Sequence, residues 1–206
     1  MTMNTRIGAL LIAPLAFAVF ANPAQAENFE GPYVGAAAGY SRDEIGPDLA
    51  DGVALPDELN QDAAYFQLFA GYDYAATPKV RVGIEAAIGV GAEDDLQFGN
   101  ASGSIELDPE YTFEFTGRAG YLVADNALLY LRGGYQNSRV EATLTEAGQP
   151  TLRDKDNADG WLAGGGFEYG FGNNLRTRIE YRYSDLGNDG GDWDRHQVLA
   201  GVLWNF

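Results

Sequence analysis

Alternation with a period of two is the dominant pattern of this chain, and residues 174–184, NLRTRIEYRYS, illustrate it. From Leu175 to Tyr183 every second side chain is apolar, aromatic or threonine, while three arginines and a glutamate occupy the positions between, and Ser184 follows in the same register. Such a period places the two sets on opposite faces of one β-strand. A soluble barrel would turn the apolar face inward and a membrane barrel would turn it towards lipid, so this strand alone leaves both architectures open.

The same alternation recurs in eight segments, at about 31–41, 62–74, 79–91, 110–123, 127–141, 159–171, 175–184 and 194–206. Each is about 10 to 15 residues long, which is long for a soluble strand and suits a tilted crossing of a bilayer. Short connections, at about 75–78, 124–126 and 172–174, alternate with long ones, at about 42–61, 92–109, 142–158 and 185–193. Short turns on the side of both termini and long loops on the other are typical of outer-membrane barrels.

Aromatic side chains concentrate near the ends of the predicted strands, on their apolar faces. Tyr and Trp prefer the boundary between water and lipid, so two bands of them predict the girdles of a lipid-facing wall. The predicted girdle residues are Tyr72, Tyr111, Tyr121, Trp161, Phe171, Tyr183 and Trp204. A lipocalin-like cup would hold its aromatics inside. The pattern therefore favours an all-β fold, an eight-stranded antiparallel up-and-down transmembrane β-barrel.

The opposite faces of these strands are rich in glycine and in charged residues. The predicted lumen charges are Arg81, Glu85, Glu114, Arg118, Arg132, Glu168, Arg176, Arg178, Glu180 and Arg182, with Arg195 on the same face. An eight-stranded barrel has an interior just wide enough for side chains. Opposite charges are therefore expected to pair into a network that plugs the bore, and a narrow ion path is the alternative.

Residues 1–26 have the features of a cleaved secretory signal. Arg6 gives a positive start, residues 7–20 are apolar but too short to span a bilayer, and Ala24-Gln25-Ala26 has the small-x-small form of a cleavage site. A membrane anchor is the alternative, which the length disfavours. The sequence thus predicts export into the periplasm and a single barrel domain at 27–206.

Charge and composition exclude several other functions. The chain has 30 acidic and 13 basic residues and a net charge of −17, which disfavours nucleic acid as a partner. It has no cysteine, so neither disulfides nor thiolate chemistry is available. The long loops hold much of the acid, but no spacing there builds a closed metal site. We expect at most a weak cation contact, shared with lipopolysaccharide, at Asp94, Asp95 and Asp108.

Candidate catalytic residues are few. His196 is the single histidine, and its position in the alternation places it on the outward face, whereas Ser184 falls on the lumen face. Without a facing serine, a hydrolase pair is not formed. The glycine-rich stretches 89–95 and 164–170 do not lie between a strand and a helix, as a nucleotide loop must. The sequence therefore predicts no enzyme, no cofactor and no small-molecule substrate.

Several short motifs carry a family resemblance: "GPYVGAAAGYS", "FAGYDY", "GRAGYLV", "YLRGGY", "RIEYRYSDLG" and the ending "VLAGVLWNF". In this order the chain resembles the small eight-stranded outer-membrane barrels of the OmpA/OmpX type, and most closely the porin-family outer-membrane β-barrel proteins of alphaproteobacteria. The resemblance implies residence in the outer membrane of a Gram-negative cell. It also implies insertion by the barrel-assembly machinery, which reads a last strand ending in an aromatic residue, here Phe206.

The function expected from these observations is structural: an outer-membrane barrel with a plugged lumen that contributes to membrane integrity and surface contact. The expected partners are outer-membrane lipid, lipopolysaccharide and, during biogenesis, the assembly machinery. A narrow porin that passes small ions or solutes is the first alternative, and a surface adhesin is the second.

Overall fold

The computed structural model describes residues 29–45, 59–92, 96–100, 103–146, 152–172, 174–187 and 193–206. The predicted signal peptide at 1–26 lies outside these ranges. Every regular element within them is a β-strand. None of the residues described belongs to a helix long and apolar enough to cross a membrane.

Nine strands follow one another along the chain, and eight of them form a closed antiparallel barrel. The strands are β1 (Gly31–Ile45), β2 (Leu59–Ala75), β3 (Val80–Ala92), β4 (Leu96–Asn100), β5 (Gly103–Ala124), β6 (Ala127–Glu146), β7 (Leu152–Gly170), β8 (Leu175–Asp185) and β9 (Trp193–Asn205). Each barrel strand pairs with its neighbours in sequence, β3 pairs with β5, and β1 pairs with β9 to close the ring. The short β4 pairs only with the outer part of β5. The predicted fold class is confirmed.

The tight turns on the side of the termini have local causes. Thr77 Oγ1 accepts a hydrogen bond from Val80 N at 3.0 Å, which closes the turn between β2 and β3. A two-residue turn joins β5 to β6. Between β7 and β8, Gly172 and Asn174 have φ values of 75° and 68°, in the left-handed region that glycine and asparagine tolerate best.

The burial of side chains follows the alternation of the sequence. In β8, Arg176, Glu180 and Arg182 are buried inside the barrel, whereas Ile179 and Tyr181 are half exposed on its outside. The same holds around the wall, where Leu131 is 72% exposed. An apolar surface this continuous is suited to lipid, because soluble monomers rarely expose large apolar patches. In β8, the face with Ile179 and Tyr181 is therefore a lipid face, and the face with the arginines and Glu180 is a lumen face.

The strands on the outer side are longer than the sequence pattern predicts. The loops predicted at 92–109 and 142–158 are wrong in part, because β4 and β5 form a hairpin there and β6 and β7 continue to Glu146 and from Leu152. Beyond the membrane both faces of a strand contact water. The alternation on which the prediction depended is therefore absent from the outer parts of these strands, although their backbones remain paired.

Glycines inside the barrel leave room for aromatic rings of the neighbouring strands. A Cβ on Gly35, Gly71, Gly89 or Gly166 would overlap, respectively, the side chain of Phe69, Tyr33, Tyr65 or Tyr130. These four rings are buried. Because the bore of eight strands is narrow, large rings fit inside only where the facing wall has no side chain.

We predict that Gly166→Ala destabilises the barrel by about 1–3 kcal/mol, since overpacking displaces Tyr130 and the backbone at Ile179. The matched control is Gly117→Ala, on the lipid face, where the nearest atom to the new Cβ lies 4.0 Å away. Urea unfolding in lipid vesicles, followed by tryptophan fluorescence, measures the difference. Equal midpoints for the two variants would contradict the packing described here.

The topology predicts which side of the membrane each turn occupies. A cysteine at the exposed Asn157 should react with a bulky, impermeant maleimide on intact cells, whereas one at the exposed Asp125 should react only after permeabilisation. The protein has no native cysteine, so each variant reports a single site. If only Asp125→Cys were labelled on intact cells, the barrel would have the opposite orientation in the membrane.

Candidate functional site

The lumen is the only part of the described structure where many charged side chains are buried together. Within the described residues, seven arginines and six carboxylates are buried there: Arg81, Arg118, Arg132, Arg176, Arg178, Arg182, Arg195, Asp43, Asp73, Glu85, Glu114, Glu168 and Glu180. The ten predicted lumen charges are all among them. Charges of both signs in similar number can pair without help from solvent, which is the condition for burying them at all.

Glu85 lies at the centre of the network. Its carboxylate accepts hydrogen bonds from Arg132 Nη1 at 2.8 Å and from Arg178 Nη1 and Nη2 at 3.1 and 2.8 Å. Tyr33 Oη donates to the same group at 2.8 Å. The bond with Arg178 uses two parallel N–H groups, which is the geometry that makes an arginine–carboxylate pair strong and directional.

Glu168 binds three arginines near the end of the barrel that holds the termini. Arg118 Nη1 and Arg176 Nη1 each donate to it at 2.8 Å, and Arg178 Nε donates at 2.9 Å. Asp73 continues the network beyond Glu168, with Arg118 Nε at 3.1 Å and Arg176 Nη1 at 3.3 Å. The charges thus form a connected chain rather than isolated pairs.

Glu180 and Glu114 extend the chain of contacts towards the outer side. Arg132 Nη1 donates to Glu180 at 3.1 Å, and Tyr130 Oη donates to the same carboxylate. Arg182 Nε lies 3.4 Å from Glu180, and its Nη1 donates to Glu114 at 2.5 Å. Arg182 therefore links the two carboxylates, and the network crosses the bore without interruption from Asp73 to Glu114.

Aromatic rings cover the guanidinium groups. Arg178 lies 4.5 Å from the ring centroid of Phe69, and Arg118 lies 4.6 Å from that of Tyr130. Arg176 lies 4.9 Å from the centroid of Tyr33. A cation over an aromatic face is stabilised most where water is excluded, so these rings strengthen the network while filling the bore.

The sequence interpretation missed these rings and Asp73. Asp73 stands between the outward Tyr72 and Tyr74 and therefore has lumen parity, a signal that was available in the sequence. Tyr33, Phe69 and Tyr130 also have lumen parity. The expectation that aromatic side chains face lipid overrode this signal.

Arg81 binds the backbone at the end of the lumen that holds the termini. Its Nε donates to Phe29 O at 2.9 Å and its Nη1 donates to Thr77 O at 3.1 Å. Phe29 is fully buried with a φ of 82°, and its ring lies 5.1 Å from the Arg176 guanidinium. Phe29, just before β1, therefore lies against the network at this end of the lumen.

The outer half of the lumen is polar with fewer charges. Arg195 forms a two-point ion pair with Asp43, at 2.6 Å from Nε and 3.1 Å from Nη2, near the outer rim. Below it lie neutral side chains, among which Ser184 Oγ donates to Gln136 Oε1 at 2.8 Å. Ser184 has no exposed surface. His196 is on the opposite side of the wall, where its Nδ1 shares a hydrogen bond of 2.7 Å with Tyr181 Oη.

The predicted girdle residues lie on the outer surface. Tyr72, Tyr111, Tyr121, Trp161, Phe171 and Trp204 are exposed, and Tyr183 is partly buried. Their polar tips find partners near the outer rim: Trp161 Nε1 donates to Asp185 at 3.2 Å and Tyr183 Oη donates to Asp194 at 2.5 Å.

Asp159 is an exposed carboxylate at the same outer rim. Hydrogen bonds from Tyr135 and then Asn137 hold the pKa of its carboxyl below its ordinary value. This carboxylate therefore keeps its charge at lower pH than an ordinary aspartate does.

The predicted loop cation contacts are not part of this geometry. Asp94 and Asp95 lie outside the described residues, and the side chain of Asp108 in β5 does so too. Among the side chains that are described, no group of three or more histidines and carboxylates could hold a metal ion. Phe206 directly follows β9, and its N–H donates to Pro32 O at 3.0 Å.

Comparison with known proteins agrees with this architecture. The family profile for the outer membrane protein beta-barrel domain matches residues 11–206. The 31 kDa outer-membrane immunogenic protein of Brucella melitensis is 27% identical over 189 residues, covering 81% of this chain and 75% of that protein. The 22 kDa outer membrane protein of Rhizobium leguminosarum is 26% identical over 176 residues, covering 85% and 73%.

Solved structures share the fold. Neisserial surface protein A superposes with a TM-score of 0.53 at 17% identity, covering 86% of this chain and 98% of that one. Ail, the attachment invasion locus protein of Yersinia pestis, superposes with a TM-score of 0.50 at 16% identity, covering 85% and 99%. The predicted family and location are confirmed: the chain belongs to the family of the outer membrane protein beta-barrel domain and is a protein of the outer membrane.

Proposed function

We propose that this protein is a structural barrel of the outer membrane, with a lumen closed by its own side chains and an outer side that makes surface contact. The observation that carries the proposal is the uninterrupted chain of ion pairs from Asp73 to Glu114. A bore filled in this way stiffens the barrel and leaves no continuous path for solutes.

Each central carboxylate binds several arginines, which supports a lumen that stays closed. Glu85 and Glu168 each bind two or more guanidinium groups, and Arg178 binds both of them. Moving any one of these side chains leaves a buried charge without its partner, which costs about 3–5 kcal/mol when no water replaces it. Thermal motion alone therefore rarely opens the bore.

The surface-contact role is supported by the outer hairpins. Beyond the Tyr135–Trp161 pair, β6 and β7 stay paired as far as Leu144 and Leu152 on the outer side. At the usual rise per residue this extension is roughly 30 Å long. The Brucella melitensis relative is named as an immunogenic protein, which is a property of that protein and agrees with an exposed outer side. A surface adhesin would use the same hairpins.

A narrow pore is the second candidate, and one observation favours it. In the outer half of the lumen, the Gln197 amide and Ser41 Oγ are buried without a hydrogen-bond partner in the described part of the chain. Buried polar groups of this kind are usually satisfied by water, which would make the outer half wet. The ion-paired layer then decides whether anything passes.

We also infer that the barrel is not an enzyme. Ser184 and His196, the candidate serine–histidine pair of a hydrolase, lie on opposite sides of the wall. The proposed partners are outer-membrane lipid and lipopolysaccharide, together with the assembly machinery that would read Phe206. Cation contacts of Asp94, Asp95 and Asp108 with lipopolysaccharide stay a prediction.

The purified, refolded barrel should give no steady single-channel current in a planar bilayer, because the charged layer fills the bore. The measurement is a conductance trace at several voltages, with an empty-detergent control. A reproducible open level in the wild type would overturn the closed lumen in favour of the narrow pore.

Glu180→Gln should lower the free energy of unfolding by about 3–5 kcal/mol, since it removes a carboxylate that Arg132 and Arg182 share and so adds one uncompensated positive charge to the buried network. Glu44→Gln is the matched control, because Glu44 is half exposed and lies 3.8 Å from Arg42, where an ion pair contributes about 0–1 kcal/mol. Unfolding midpoints on unheated gels compare the two. If both variants unfold with the wild type, the lumen is wet and the network does not hold the barrel together.

A further inference from the structure

The lipid-facing wall carries a groove of about 780 Å³ that runs from the start of β3 over the strands β5 to β9. Its lining is apolar and includes Ala119, Leu131, Gly165, Phe167, Ile179 and Val198. Around it the wall is formed of large, exposed aromatic and aliphatic side chains. The groove is therefore a local depression between large exposed side chains.

The strand register explains the depression. Gly165 faces outward between Leu131 and Tyr181, which are its partners on β6 and β8. In the next row towards the outer side, Gly133 pairs with Gly117 on β5 and with Ala163 on β7. Ala119 and Gly165, on either side of Leu131, therefore form the floor of the groove, and the three small residues of the next row lie just beyond its lining.

A positive charge stands at the end of the groove on the side of the termini. Val80 and Tyr121 line that end, and Lys79 Nζ lies 6.0 Å from the centroid of the Tyr121 ring. The backbone of Lys79 is fixed because Leu122 N donates to its carbonyl at 2.8 Å. No carboxylate of the described residues lies within ion-pair distance of its ammonium group.

We propose that this groove binds one glycerophospholipid of the periplasmic leaflet, with an acyl chain along the groove and the phosphate against Lys79. Hydrocarbon suits the apolar lining, and a lysine at the membrane boundary attracts a lipid phosphate. Lipopolysaccharide occupies the opposite leaflet, so its phosphates are at the other rim, far from Lys79.

A second copy of the chain fits the groove poorly. A twofold interface brings the same patch of both subunits together, and two depressions facing each other leave a void. The atoms lining such a void lose their dispersion contacts. A flexible acyl chain can follow the floor over its length, which a rigid barrel wall cannot.

Native mass spectrometry of the refolded barrel with added phosphatidylglycerol tests this site. The wild type should retain one lipid, and Lys79→Gln should reduce the retained fraction about five-fold, the share of one lysine near a lipid surface. Gly165→Leu should abolish retention, because its side chain fills the floor. The new Cβ would meet only the flexible tip of Leu131 at 3.0 Å and a carbonyl oxygen at 3.2 Å, so the barrel should still fold.

The matched control is Ala70→Leu, a small outward residue on β2, a strand that contributes nothing to the lining of the groove. It should retain lipid as the wild type does, and heat-dependent gel mobility reports folding of all variants. Equal retention by all four proteins would overturn the site. Dimers that Gly165→Leu removes would also overturn it and assign the groove to a second copy.

Discussion

A backbone N–H or C=O group without a partner costs several kcal/mol in hydrocarbon, and this constraint governs the rest of the structure. It requires that the first and last strands meet, which β1 and β9 do along thirteen residue pairs from Tyr33–Asn205 to Ile45–Trp193. Once the ring is closed, the number of strands fixes the width of the bore. The lumen side chains then have a fixed volume to fill, and their chemistry follows from that limit.

Filling the bore uses two complementary walls. The walls of β1, β2 and β9 contribute an apolar cluster, with Tyr33, Tyr65 and Phe69 among buried alanines and leucines. Most of the buried charge is on β3 and on β5 to β8. Rings from the first wall lie against guanidinium groups from the second, so one interface between them provides packing, cation–π contact and hydrogen bonding together.

Parity along each strand made the fold predictable, because a residue's face follows from its position in a period of two. The face of a residue does not reveal which residue it contacts across the lumen. Glu85 on β3 and Arg178 on β8 meet across the bore although 93 residues separate them, and only the tilt and register of the closed barrel bring them to one level. Likewise, the alternation places Tyr130 on the lumen face, but only the closed barrel shows that its ring lies over Gly166. The outer ends of β5 to β7 were missed because water surrounds both of their faces.

The shared carboxylates of the lumen also bear on how such a protein can evolve. A lipid-facing leucine can become valine or isoleucine independently of other positions, since hydrocarbon accepts any of them. Arg178, in contrast, binds Glu85 and Glu168, and each of those binds other arginines. A charge reversal here is tolerated only when several positions change together. The exterior can therefore diverge by single steps while the interior changes in linked sets, and pairs of interior positions should covary across the family more strongly than any on the wall.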